Sequence, residues 1–331
     1  MNGRLAGLSA LSFAILLGGW GLLQAGPAVA QEAAPAASPK AGAEWRQDLA
    51  AWRAQQAREL AAPDGWLTLV GLEWLKPGVN SVGAAPDNQI RVRAQAPEHI
   101  GLFTVSGKPT NGNPLSGQTV QLLASRGGFP PELKVNGQPA REGPLVVEGA
   151  KPSTITWHGL TLVVLKRAGR FALRIKDAAS PTRTGFHGLN WYAPNPHYRV
   201  EARWIPFTPP HIEKIPTVLG ATLDLPAPGV AEFTVNGKTL RLEPVIEDPS
   251  GKTLFFILRD ETSKTTTYQA ARFLHTGLPD HGLDRPGLLT LDFNRLENPP
   301  CAYTPYATCP LPPEKNRLPV ALEAGEQRYA H

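Results

Sequence analysis

Trp45, Leu49, Trp52 and Leu60 fall on one stripe of a 3.6-residue period, while Arg46, Asp48, Arg53, Gln56 and Arg58 lie mostly off it. That pattern predicts an amphipathic helix over 44–60, ended by the turn residues Pro63-Asp64-Gly65. Beyond residue 65 the period changes from 3.6 to 2. WLTLVGLEWL, VNSVG, QIRVR, GLFTVSG, TVQLLAS, ELKVNG, PLVVEG, STITWHG, LTLVVLKRAG and RFALRIKD follow one another, each broken by Gly, Pro, Asn or Asp. Strands this short, with a turn every 8–12 residues, mean a sandwich or barrel. A proline- and aromatic-rich connection, 177–198, separates them from RVEARWIPF, TVLGATLDL, GVAEFTVNG, KTLRLEPVIED, KTLFFILRDE, TTYQAARFLHT and GLLTLDFN. The predicted fold class is mainly all-β. It has two β-sandwich or barrel-like lobes, one N-terminal amphipathic helix and a long ordered proline-rich C-terminal loop. The helix and first lobe are assigned to 44–176, and the connection, second lobe and C-terminal clasp to 177–331. ELKVNGQPAR (132–141) echoes EFTVNGKTLR (232–241), and the Asn-Gly of each predicts a type I′ hairpin.

The C-terminal loop, DFNRLENPPCAYTPYATCPLPPEKNRL (292–318), is where a site is sought first. Pro299, Pro300, Pro305, Pro310, Pro312 and Pro313 exclude a helix and most ladder pairing. A disordered proline-rich tail would lack the interleaved Phe293, Tyr303 and Tyr306, so the segment reads as a rigid cap. Its polar side chains either wall a pocket or satisfy backbone groups that the prolines leave unpaired. The candidate ligand-binding residues are Asn294, Asn298, Tyr303, Tyr306 and Arg317. Asp292 and Arg272 are the candidates for acid/base work or anion holding, with a buried ion pair between them as the plainer account.

The apolar run Leu5–Leu23 behind Arg4, then Ala28-Val29-Ala30, predicts a secretory signal peptide over 1–30, cleaved after Ala30. An Ala/Pro-rich tether over 31–43 follows. The expected location is periplasmic or secreted, with no stable membrane anchor after cleavage. In that setting the two cysteines of the chain, Cys301 and Cys309, predict one disulfide that pins the loop. The formal net charge is +5, but the basic residues are scattered, which argues against a nucleic-acid partner. No metal or cofactor set is identified: Ser250-Gly251-Lys252-Thr253 ends like a P-loop, yet Ile246 stands where its first glycine should be. G-x-S-x-G, HExxH and G-x-G-x-x-G are also missing. The partner expected is a small molecule or a cell-envelope component. The alternative is a hydrolase acting on envelope material with Asp292 as acid or base.

WRAQQARELAAPDGWLTLVGLEWLKPGVNSVGAAPDN, GRFALRIKDAASPTRTGF, YRVEAR and above all DFNRLENPPCAYTPYATCPLPPEKNRLPVALEAGE resemble the domain-of-unknown-function family numbered 1684. The likeness covers about residues 45–326 and implies a mostly bacterial and archaeal protein with no established biochemical role, here in an exported form by the signal peptide read above. GVNSVGAAPDNQIRV also looks like the start of a forkhead-associated β-sandwich, which implies fold only: that motif wants Arg after the glycine, and here Ala84 follows Gly83.

Overall fold

The computed structural model describes residues 39–108, 115–147, 149, 151–167 and 169–330. The export signal expected at 1–30 and most of the tether lie outside them. Among the described residues, no helix is long and apolar enough to cross a membrane.

Eleven strands build the first lobe: β1 (Leu69–Trp74), β2 (Gly78–Gly83), β3 (Ile90–Arg91), β4 (Gly101–Ser106), β5 (Thr119–Leu123), β6 (Lys134–Val135), β7 (Gln138–Pro139), β8 (Gly143–Leu145), β9 (Thr154–Trp157), β10 (Leu160–Arg167) and β11 (Arg170–Asp177). They form one sheet in the order β1-β11-β10-β9-β6-β7 and another in the order β3-β2-β4-β5-β8. Alternation decides which side chains meet. Phe171, Leu173 and Ile175 of β11 and Leu162 and Val164 of β10 share one core with Phe103, Val120 and Leu122 from the other sheet. Arg174 and Lys176 therefore point to the opposite face of their sheet.

The second lobe holds β12 (Arg199–Pro216), β13 (Thr222–Val235), β14 (Lys238–Leu242), β15 (Leu254–Leu258), β16 (Arg272–Thr276) and β17 (Gly287–Asp292). A four-stranded sheet, β14-β13-β12-β17, faces the two-stranded β15-β16. The run LFFIL of β15 is buried throughout, because the strand is covered on both faces. Leu254, Phe256 and Leu258 join the core under the larger sheet. Phe255 and Ile257 face the C-terminal loop, with Phe273, Ala307 and Cys309. The stretch 217–221, expected as extended, is instead the turn between β12 and β13.

Both Asn-Gly hairpins form as expected. Asn136 and Gly137 have φ of 52° and 79°, and Asn236 and Gly237 have 50° and 72°. The first hairpin is a short edge pair, whereas the second joins the long β13 to the five-residue β14. The lobes otherwise differ in strand number and order.

Gly229 on β13 lies at a close approach of backbone to side chain inside the second lobe. A Cβ there would lie 2.5 Å from Cζ2 of the fully buried Trp204 and 2.6 Å from the carbonyl oxygen of Ile205. Gly229→Ala is expected to destabilise the protein by roughly 1–3 kcal/mol through overpacking. A thermal denaturation midpoint equal to that of the parent would show that the strand yields without cost.

The amphipathic helix α1 runs from Pro39 to Leu60, beginning inside the stretch expected as tether. Its Leu49 and Leu60 are buried as the stripe requires. The polar groups flanking that stripe reach the second half of the chain. Trp45 Nε1 donates to Asp292 Oδ2 at 2.7 Å. Arg53 donates to the carbonyls of Tyr192 and Asn294 at 3.0 and 3.3 Å and lies over the Trp191 ring. Arg295 pairs with Asp48.

Candidate functional site

β17 delivers the chain directly into the C-terminal loop, and the first polar residues there are structural. Asp292 Oδ1 accepts from the backbone N and the Nδ2 of Asn294, at 3.1 and 2.9 Å. With Oδ2 held by Trp45, the carboxylate caps the 3-10 turn Phe293–Arg295 and fastens α1 to it. Asn294 is wholly buried and reads the backbone of Asn195, accepting from its N at 2.8 Å and donating to its O at 2.9 Å. This staples the 177–198 connection to the loop.

Arg272 does not pair with Asp292. It is fully buried and donates to Asp260 Oδ2 at 2.8 Å, to the Leu322 carbonyl at 3.0 Å and to the Ala324 carbonyl. Arg317 is exposed, and its backbone bridges that of Arg259. Tyr306 is half-buried, its N donating to Thr304 Oγ1 at 3.3 Å.

The sequence predicts a cystine; in the structure Cys301 and Cys309 are neighbouring thiols. Each sulfur already has a hydrogen-bonding role. The Cys301 backbone N donates to Cys309 Sγ at 3.1 Å. The Cys309 thiol bonds the Cys301 sulfur, lowering the Cys301 pKa and raising its own. The polar contacts of Asp292, Asn294 and Asn298 hold the loop in place.

A cavity of about 450 Å³ opens beneath the loop, within the range of small-molecule sites. The end of α1 and the turn after it supply Gln56, Glu59 and Trp66, β11 supplies Arg174 and Lys176, and the loop supplies Glu297, Asn298 and Tyr303. Glu326 comes from the tail, which returns beneath the loop: its N donates to the Leu296 carbonyl at 2.7 Å, and the next N donates to that of Asn190 at 2.8 Å. Of the seven residues chosen from the sequence, Asn298 and Tyr303 meet here, whereas Asp292, Asn294, Arg272, Tyr306 and Arg317 do not line this cavity.

Asn298 and Tyr303 converge on Glu326, which is 2 % exposed. Glu326 Oε1 accepts from Tyr303 Oη at 2.6 Å and from Asn298 Nδ2 at 2.8 Å, and Oε2 accepts from Asn298 N at 2.9 Å. Burial outweighs these bonds and pushes the carboxyl up to about 7. Burial, and then the charge of Glu326, raise the Tyr303 hydroxyl well above its ordinary value. On the β11 side, burial and then Arg167 bring the Arg174 guanidinium down to about 10. Its plane lies over the Trp66 ring, 5.1 Å from the centroid. Lys176 is lowered by burial and then by Arg174, and its Nζ donates to the Asp64 carbonyl. A second cavity, about 610 Å³, adjoins this one through Trp66, Arg174, Phe273, Glu297 and Pro300, and adds Lys166, Arg167, His275 and Cys309.

Arg174, Lys176 and Glu326 were not singled out from the sequence. The alternation in RFALRIKD does place Arg174 and Lys176 off the core face, but a polar face is ordinarily solvated, and nothing local says that it meets another lobe. Elsewhere, His211, Glu213 and Glu243 cluster as metal ligands might be expected to. The Lys315 ammonium sits between the two carboxylates, at 2.7 and 2.5 Å, and makes the group a charge cluster.

Fold and cavity together define a mainly β protein of several sheets, with no closed barrel and a buried acid in the pocket beneath its C-terminal loop. Residues 184–327 match the model of the family described as Protein of unknown function (DUF1684), and the chain belongs to that family. It is similar to an uncharacterized protein of Haloarcula marismortui solved by solution NMR. That likeness has 34% identity over 44% of this chain and 78% of that one, with a TM-score of 0.38. No curated protein matches.

Proposed function

We propose that this is an exported protein that binds a small polar molecule in the cavity beneath the 292–318 loop. The observation that carries the reading is Arg174. It is half-buried, its Nε is without a hydrogen-bond partner, and its guanidinium makes no hydrogen bond or ion pair to any described residue. A half-buried cation whose described partner is the Trp66 ring alone is poorly compensated in a fold that needs it only for packing. It is reasonable in a site that waits for a ligand. Asp292 supports the hydrolytic alternative less well, because its oxygens are committed to Trp45 and Asn294.

Arg174→Met separates the two roles. The thioether keeps much of the side-chain volume and removes the unpaired charge. The ligand-free variant is expected to melt roughly 2–4 °C higher than the parent, the shift that about 1 kcal/mol produces in a chain of this size. It should also lose the thermal stabilisation that a ligand found by small-molecule screening gives the parent. A variant that melts lower and still binds that ligand would remove Arg174 from the site. Export is checked by cell fractionation, where recovery of full-length protein from the cytoplasm alone would count against it.

A further inference from the structure

The cavity holds a cationic and an acidic side chain, and no ion pair joins them. Arg174 brings an unpaired guanidinium with a buried, partnerless Nε. Glu326 is a buried carboxyl that receives three hydrogen bonds but no Lys or Arg within ion-pair distance among the described residues. Beside it, Asn298 is 5 % exposed and its Oδ1 is buried with no partner. The orientation of that amide is fixed, because Nδ2 donates to Glu326 Oε1 and to the Gln327 carbonyl, each at 2.8 Å. Oδ1 is therefore a true acceptor without a donor, and such an atom is rare in a folded interior.

A ligand that completes the site must bring an acceptor for Arg174 and a donor for Asn298 Oδ1. A simple anion fails the second demand. It would also face Glu59, Asp64, Glu297 and Glu326, which outnumber Arg174 and Lys176 in the lining. A simple cation leaves Arg174 as it is. A zwitterion answers both, with its carboxylate on the guanidinium and its ammonium against Asn298 Oδ1 and the Glu326 carboxylate. The remaining wall includes Leu60, Trp66, Leu189 and Phe273, which suits an apolar side chain.

We propose that the cavity takes a small zwitterion of the amino-acid type with an apolar side chain. This rests on the reading of the cavity as a binding site, and it adds the chemistry of the ligand. The test uses the full chain. Thermal-shift screening with the twenty free amino acids at millimolar concentration is followed by calorimetric titration of leucine, of 4-methylpentanoate, which lacks its amino group, and of 3-methylbutylamine, which lacks its carboxylate.

An apolar amino acid should stabilise the protein, and each truncated analogue should bind at least tenfold more weakly than leucine. Glu326→Gln should weaken leucine tenfold or more and leave 4-methylpentanoate unchanged. The analogue comparison is made on the parent protein, so it stands even if that variant folds poorly. Equal binding of leucine and 4-methylpentanoate would overturn the zwitterion and leave an anion site in place. If no amino acid binds while a screened compound does so in an Arg174-dependent manner, the zwitterion fails and the cavity reading survives. If nothing binds at all, both are lost.

Discussion

Arg272→Ala should cost the protein roughly 3–5 kcal/mol, the range for breaking a buried ion pair from one side. The side chain is fully buried, and it joins β16 to Asp260 and to the carbonyls of Leu322 and Ala324. Asp260 in turn caps the turn at Glu261–Lys264 and accepts from the Leu322 N at 3.2 Å. Alanine would leave a sealed carboxylate without its counter-charge, its Oδ2 and the Ala324 carbonyl losing their donor, while Asp260 Oδ1 keeps Thr262 and Leu322 and the Leu322 carbonyl keeps the Ala324 N. Urea denaturation followed by tryptophan fluorescence measures the loss. The double variant Arg272→Met with Asp260→Leu should recover only the part due to the stranded charge, because the Asp260 cap of Thr262 and its bond from the Leu322 N are lost with the carboxylate. A single variant within 1 kcal/mol of the parent would mean that this strut does not hold the tail.

The second large effect is a dependence on pH that belongs to Glu326. In the unfolded chain its carboxyl gives up its proton near the ordinary 4.5, whereas in the folded protein burial holds the proton to about 7. Between those values the native state carries a proton that the unfolded state has released, so raising the pH favours unfolding. The contribution is complete below about 4.5 and gone above about 7. Its size is about 1.4 kcal/mol for each pH unit in the window, or about 3 kcal/mol in all. Glu326→Gln should flatten this part of the profile when unfolding free energies are compared at pH 5, 6, 7 and 8. The same slope in the variant would assign the dependence to another group.

The β fold was largely legible because local signals carry it. Alternating runs such as RFALRIKD and the two Asn-Gly pairs were read with the right element type. They state their geometry within a few residues. The site was legible only in part. Asn298 and Tyr303 were chosen from a loop that looked unusual, and they do face the cavity. Asp292 and Asn294 came from the same loop for the same reason, but Asp292 caps its own turn and Asn294 staples the backbone of Asn195, since an Asx side chain serves backbone groups as readily as a ligand. Arg272 was read as a partner for Asp292, and its actual partner, Asp260, is fixed by how β16 meets the turn after β15. Such pairings are tertiary, and no spacing announces them. The cysteine pairing was inferred from an expected compartment, and the structure brings the two residues together as neighbouring thiols.

The pocket has no owner among the segments that line it. Its walls come from the end of α1, from β11, from the connection at Leu189, from β16 and from the returning tail. A guest lodged there would bridge every part of the molecule at once. Melting with ligand present should therefore remain a single concerted event, shifted as a whole and not lobe by lobe. Cutting the gene within 177–198 would yield two fragments, each with strands enough to make sheets and neither with a binding site.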